Sequence, residues 1–253
     1  MIDILLFRKY AQNNFDIARQ IEWPASRKQM NTVISNPAIG LTERPFAVHF
    51  SQPDAGDRAE IEQFISDVFH QAYGAKIKRF KPCLMSLRDQ DNKLVAACGF
   101  RSAALEPLFL EAYLNQPVEA ILSEHTGLPV KRSDIIGVGN FSVAEPGMAR
   151  YLITAIADQL HATSKEWVVF TAVPVVRNVF IKMNMNPVIL CDADINRLPP
   201  EERAEWGSYY AQKPQVMAVK RFERRSKPRT PETLISQNGT HEHTPGVRCQ
   251  TCA

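Results

Sequence analysis

The feature that most constrains this chain is the order of its strand and helix periodicities between residues 45 and 219. Residues 45–50 read as a short strand. Over 57–73 the apolar residues Ile61, Phe64, Ile65, Val68 and Phe69 recur at helical spacing on one face. Two β-patterned runs, 83–88 and 93–100, flank the turn-rich Asp89-Gln-Asp-Asn92 and predict a hairpin. Helical stretches over 108–114 and 118–125 lead to a central strand at 134–143. An amphipathic helix follows at 149–162, with Leu152, Ile153, Ile156 and Leu160 on its apolar face. A strand at 166–172 that reads as fully buried by composition, a helix at 174–183 and short strands at 188–191 and 216–219 complete the pattern. A hairpin feeding strand–helix–strand–helix–strand implies the α/β (α+β) class, with a mixed central sheet and helices on both faces. No internal repeat is present.

Around this core the expected organisation is a peripheral arm over 1–43, one domain over 44–220 and a basic tail over 221–253. The tail is rich in proline and turn formers and poor in apolar residues, so disorder is expected there. The net charge of +3 hides an uneven distribution, because residues 220–253 carry seven Lys/Arg against three Asp/Glu. The rest is near neutral, which gives no reason to expect a nucleic-acid partner. No run approaches the roughly 18 apolar residues that span a bilayer. The most apolar one, 167–176, is broken by Thr171 and Pro174. The N-terminus lacks a basic leader, and the five cysteines are too scattered for a disulfide framework, so the cytoplasm is the expected compartment.

Several segments, taken as an ordered series, resemble the bacterial thermostable hemolysins. They are Lys93-Leu-Val-Ala-Ala-Cys-Gly-Phe-Arg101, Leu108-Phe-Leu-Glu-Ala-Tyr-Leu114, and Val138-Gly-Asn140 with Phe141. Trp167-Val-Val-Phe-Thr-Ala172, Arg177-Asn-Val-Phe180 and Trp206-Gly-Ser-Tyr-Tyr210 complete the set. Gly137 stands where that family's pattern has an acidic residue. The stretch also resembles the Gcn5-related N-acetyltransferase superfamily and its acyl-homoserine-lactone synthase branch. There a central strand leads through a phosphate-binding turn into a helix, and a later helix starts with Asn. The resemblance implies an acyl-CoA N-acyltransferase-like fold. It also implies an enzyme that moves an acyl group from acyl-CoA or an acyl-carrier thioester to a small amine or similar acceptor, with no permanently bound cofactor and with an acyl carrier protein as a candidate partner.

Candidate residues follow from position and chemistry. Glu111, in an otherwise apolar helical face, is either a surface carboxylate or a buried group fit to accept a proton. Arg101, at a strand end, pairs with a substrate anion or with a protein carboxylate such as Glu111. Asn140 either orients an acyl carbonyl or makes a bulge with Gly139. Val143, Gly147, Ala149 and Arg150 surround the turn into the helix, where backbone N–H groups meet anions. Asn178 is expected near a helix start, as a cap or a ligand contact. Phe109, Trp206, Tyr209 and Tyr210 form either a packing cluster or the wall of an acyl-chain groove. The tail holds His241, His243, Cys249 and Cys252, a weak metal-ligand set; no metal is expected in the core. Two rival readings stand beside the enzyme: a membrane-active haemolytic protein, and a ligand-binding relative that has lost catalysis with the acid at position 137.

Overall fold

The strand and helix patterns are realised in a computed structural model that describes residues 29–36 and 41–221. Eight strands form one sheet in the order β1-β2-β3-β4-β5-β6-β8-β7. They are β1 (Gln29–Asn36), β2 (Leu41–Ser51), β3 (Cys83–Arg88), β4 (Leu94–Ser102), β5 (Ile135–Val143), β6 (Trp167–Ala172), β7 (Val188–Asp192) and β8 (Gln215–Lys220). Only β5 and β6 run parallel; every other neighbouring pair is antiparallel. The class is therefore mixed α/β, as the order of periodicities implies. The helices are α1 (Arg58–Tyr73), α2 (Val118–Thr126), α3 (Met148–Leu160), α4 (Pro174–Lys182) and the single-turn α5 (Pro200–Arg203).

Three local readings change. Residues 29–36, placed in a peripheral arm, are an edge strand paired with β2, and Glu43 lies inside β2. The stretch after Leu108 is a 3₁₀ turn, Phe109–Tyr113, and not an α-helix. Pro174 opens α4 at its first position, where a missing N–H costs nothing. That puts Asn178 in the helix interior, exposed, so it caps no helix start. Gly74 and Gly127 terminate α1 and α2 in the left-handed conformation.

Alternation along the strands separates two faces. On one, Cys98 and Phe100 of β4 and Ile136 and Val138 of β5 pack under α3 through Leu152 and Ile156. The other face carries two separate apolar clusters. Ile61 and Ile65 of α1 cover Leu84 and Ala97, while Leu108, Leu114 and Leu122 cover Ile135, Trp167 and Val169. Between these clusters lie three glycines on paired strands, with Gly99 opposite Gly139 and Gly137 opposite Arg101.

The chain from α1 to β3 crosses this face without regular structure and is strapped down by the segment before β8. Ser208 N donates to Tyr73 O (2.8 Å) and Lys76 N to Glu205 O (2.6 Å). Lys78 pairs with Glu205 (2.5 Å) and Arg79 with Glu202. Gly207 makes the strap fit: its φ is +50, and a Cβ there would stand 2.1 Å from Tyr73 O. Gly207→Ala is expected to cost about 2 kcal/mol or more, since neither backbone can yield cheaply. Gly56→Ala, where nothing lies within 4 Å of the added carbon, serves as the control. Urea denaturation of the two variants measures the difference.

Candidate functional site

β5 and β6 pair over only four positions, Ile135–Val138 against Trp167–Phe170, and then part. The cause lies in β5. From Ala97 to Gly99 on β4 the partner strand steps from Ser142 to Gly139, so β5 holds one extra residue. Asn140 sits in this bulge with φ +52, a conformation Asn tolerates better than most side chains. Beyond the bulge, β5 still bonds to β4 through Ser142 and Val143, while β6 bonds to β8 through Thr171 and Ala172. The edges that face each other across the gap have no backbone partner among the described residues. This is the carboxyl end of two parallel strands, where ligands meet sheets of this kind.

Past Val143, whose strand partner is Ala96, the chain turns at residues 144–147 into α3. Gly147 is the N-cap, exposed and at φ +97 with open space around it. Met148 N and Arg150 N bond back to Glu145 O and Gly147 O (3.3 and 3.2 Å). The N–H groups of Gly147 and Ala149 have no acceptor among the described residues. Val143, Gly147, Ala149 and Arg150 thus gather at one helix start. Asn178 lies in α4 and is no part of that turn.

Asn140 bonds through both ends of its amide. Oδ1 accepts from Lys81 N (3.0 Å), and Nδ2 donates to Arg79 O (3.3 Å). Those bonds clamp the segment that crosses the glycines, so the amide holds protein backbone instead of a substrate carbonyl. Arg101 pairs with Glu106 (2.5 Å), not with Glu111. Gly137 is filled from above: a Cβ there would meet Leu108 Cδ2 at 2.9 Å, so a carboxylate fits only if Leu108 moves.

Glu111 has no free role as a base. Its carboxylate accepts from Leu108 N (2.6 Å), Val118 N (3.1 Å) and, bidentately, Arg132 (2.8 and 2.6 Å). Burial alone would raise its pKa, but Arg132 and the two backbone donors outweigh burial and hold it below the ordinary glutamate value. Glu119 completes the pairing of Arg132 (2.6 Å). These groups line an open depression with Glu106, Pro107 and Gln116, and both carboxylates are committed to Arg132. The aromatic residues form one packed cluster. Trp206 lies 5.7 Å from Phe109 and 5.4 Å from Tyr209, and Tyr209 is buried against Tyr73 (5.2 Å). Tyr210 shares a short hydrogen bond with Tyr113, and burial pushes its hydroxyl up to about 12.

No sequence pattern marks Lys81 as a site residue. Its stem lies across the two paired glycines: a Cβ on Gly99 would stand 2.6 Å from Lys81 Cβ, and one on Gly139 would stand 2.9 Å from Cε. The only signal was Gly99 and Gly139 themselves, two small positions awaiting a filler. Arg177 was read only as part of a motif. Its Nε is buried without a partner among the described residues, while its NH1 donates to Gln215 Oε1 (2.8 Å). Among the described residues no group of three or more His, Cys, Asp or Glu could hold a metal; His241, His243, Cys249 and Cys252 lie outside them. No described helix is long and apolar enough to cross a membrane.

Glu111→Gln is expected to destabilise the fold by about 1.5–3 kcal/mol, the range for a hydrogen bond to a charged group. The sign with pH is fixed. A carboxyl whose folded pKa is depressed stabilises above its unfolded pKa of roughly 4.3, and that stability fades as pH falls through the folded value. The stability gap between wild type and variant should therefore be full at pH 7 and shrink progressively below about pH 5. A gap independent of pH in denaturation curves would contradict this account.

Among solved structures, the acyl-homoserine-lactone synthase LasI aligns with a TM-score of 0.49 at 10% identity, over 71% of this chain and 91% of that one. FeeM, an N-acyl amino acid synthase from uncultured soil microbes, gives 0.45 at 12% over 70% and 91%. The GNAT domain of the S. lividans PAT gives 0.42 at 12% over 77% and 98%. No curated protein matches this sequence. A family model described as thermostable hemolysin matches residues 51–223, which take in every strand and helix from α1 to β8 together with the parted strands, and the chain belongs to that family.

Proposed function

We infer that this protein is an acyltransferase that moves an acyl group from a thioester, acyl-CoA or an acyl carrier, to a small amine or similar acceptor. The observation that carries the reading is the parting of β5 from β6 beyond Val138 and Phe170. An extended thioester arm bears amides, and two facing unpaired strand edges suit it as a third strand would. The helix start at Gly147 lies at the same end, where the free N–H groups of Gly147 and Ala149 and the side chain of Arg150 suit the anionic end of coenzyme A. The central strand and the turn after Val143, which resemble those of acyltransferases, border this gap.

The chemistry asks little of the chain beyond position. The amine nitrogen attacks the thioester carbonyl carbon, a C–N bond forms, the C–S bond breaks, and the proton lost by nitrogen ends on the departing thiol. Holding both reactants in one gap and offering N–H groups to the developing oxyanion supplies the acceleration. Glu111 has no part in it; Asn140 and Arg101 act by shaping and charging the acceptor side. The exposed edges of Trp206 and Phe109 remain the candidate wall for an acyl chain.

Melting temperatures of the pure protein with coenzyme A and with acetyl-, octanoyl- and palmitoyl-coenzyme A test this. A ligand bound only by the folded state raises the melting temperature, by about 2.7 kcal/mol of added stability at a hundredfold excess over Kd. The expected result is stabilisation by the thioesters, accompanied by no leakage from phospholipid vesicles treated with protein alone. Leakage by protein alone, with no stabilisation by any thioester or by an acylated carrier protein, would overturn the reading in favour of direct membrane action.

A further inference from the structure

The two apolar clusters on the α1 face are separated by a cationic strip that no carboxylate among the described residues fully neutralises. Lys81, Arg101 and Arg79 converge there, and among the described residues Glu106 is the carboxylate that acts on Lys81. Arg101 takes that carboxylate at 2.5 Å. Arg79 lies over the Phe109 ring, 5.3 Å from its centroid, and pairs outward with Glu202. For Lys81 Nζ there is no hydrogen-bond acceptor among the described residues. The ammonium is also built in. Asn140 holds the backbone of residues 79–81, Arg58 donates to Lys81 O (2.8 Å) and Pro82 O (3.1 Å), and the glycines beneath accept the stem. A cation this well placed on the bulge that parts the strands, without a partner of its own, is arranged for an anion that arrives with a ligand.

We propose that Lys81, with Arg101 beside it, holds the carboxylate of the acceptor, so that the amine acylated here belongs to an amino acid. This rests on the acyl-transfer reading and names its acceptor. One cation without a protein acceptor among the described residues, beside one already paired, calls for a single negative charge. A carboxylate at Lys81 would place the amino group of the same molecule toward the gap where the thioester carbonyl is expected. The anionic end of a donor would sit four residues further along β5 and beyond, roughly 13 Å or more away at the rise of a strand. Burial and the neighbouring Arg101 pull Lys81 down to about 8, with Glu106 opposing, and a bound carboxylate would push it back up.

The test uses the full chain and two matched probes, N-decanoylglycine and N-decanoylglycinamide, which differ in the carboxylate alone. Calorimetry should show the acid binding roughly ten- to a hundredfold more tightly than the amide, the worth of one charge-assisted hydrogen bond. Lys81→Met should erase that preference and Lys81→Arg should keep most of it, with coenzyme A binding the same in all three proteins. Equal binding of acid and amide by wild type overturns the proposal, as does a preference that survives Lys81→Met. Loss of coenzyme A binding in Lys81→Met without any acid preference would assign the strip to the donor's phosphates instead. A wild type that prefers the acid but binds no thioester would sink the acyl-transfer reading and leave the carboxylate site standing. Should Lys81→Met fail to fold, wild type decides alone: acid binding must weaken from pH 7 to 9.5 as Lys81 loses its proton, and amide binding must not.

Discussion

One extra residue in β5 governs what this molecule can do. The bulge at Asn140 lets β5 stay in register with β4 on both sides of the irregularity while it turns away from β6. The pairing with β6 stops at Val138, two residues before Asn140. The residue that makes the bulge also secures what crosses it, because the Asn140 amide bonds the backbone at Arg79 and Lys81. Backbone conformation and side-chain hydrogen bonding are thus joined in one residue: the left-handed φ opens the gap, and the amide fixes the strand-to-strand crossing that charges its rim.

The glycines follow from the same geometry. Gly99 and Gly139 lie opposite each other and face α1, and their missing side chains make the trough in which the Lys81 stem lies. Gly137, two residues earlier on the same face, takes Leu108 instead. The face is therefore divided at Gly137 into an apolar half, continuous with Ile135, and a cationic half that begins at Gly139. An acid at position 137 would have displaced Leu108 and put a negative charge among apolar side chains, at a cost that only pairing could offset. Its absence leaves the net charge of the strip positive.

What the sequence made legible was governed by range. The helices over residues 58–73 and 148–160 and the hairpin of β3 and β4 are local patterns, and they appear where periodicity puts them. β1 was not legible, because an edge strand with a polar, Asn-rich sequence carries little of the alternation that marks a half-buried strand. Glu111 looked catalytic because an acid amid apolar neighbours demands a partner, and the partner, Arg132, lies 21 residues away. Arg101 found its carboxylate at Glu106, five positions on, across a turn that no periodicity describes. Lys81 was invisible for a related reason: it stands before a proline in a segment of no regular structure, and only the register of β4 on β5 brings two glycines beneath it.

Ion pairing then separates groups that build from groups free to act. Glu111 and Glu119 share Arg132, Arg101 pairs with Glu106, and Arg79 pairs with Glu202. Each such pair fixes a loop: Arg132 ties the start of β5 to the 106–119 segment, and Arg79 ties the crossing to α5. A charge committed to a buried, bidentate partner has little free energy left to offer a substrate, since breaking the pair costs more than a new contact returns. By that criterion the Glu111 carboxylate has little to offer a substrate. What stays uncommitted on this face, among the described residues, is the backbone beyond the bulge and the Lys81 ammonium, whose carbon stem lies over Gly99 and Gly139.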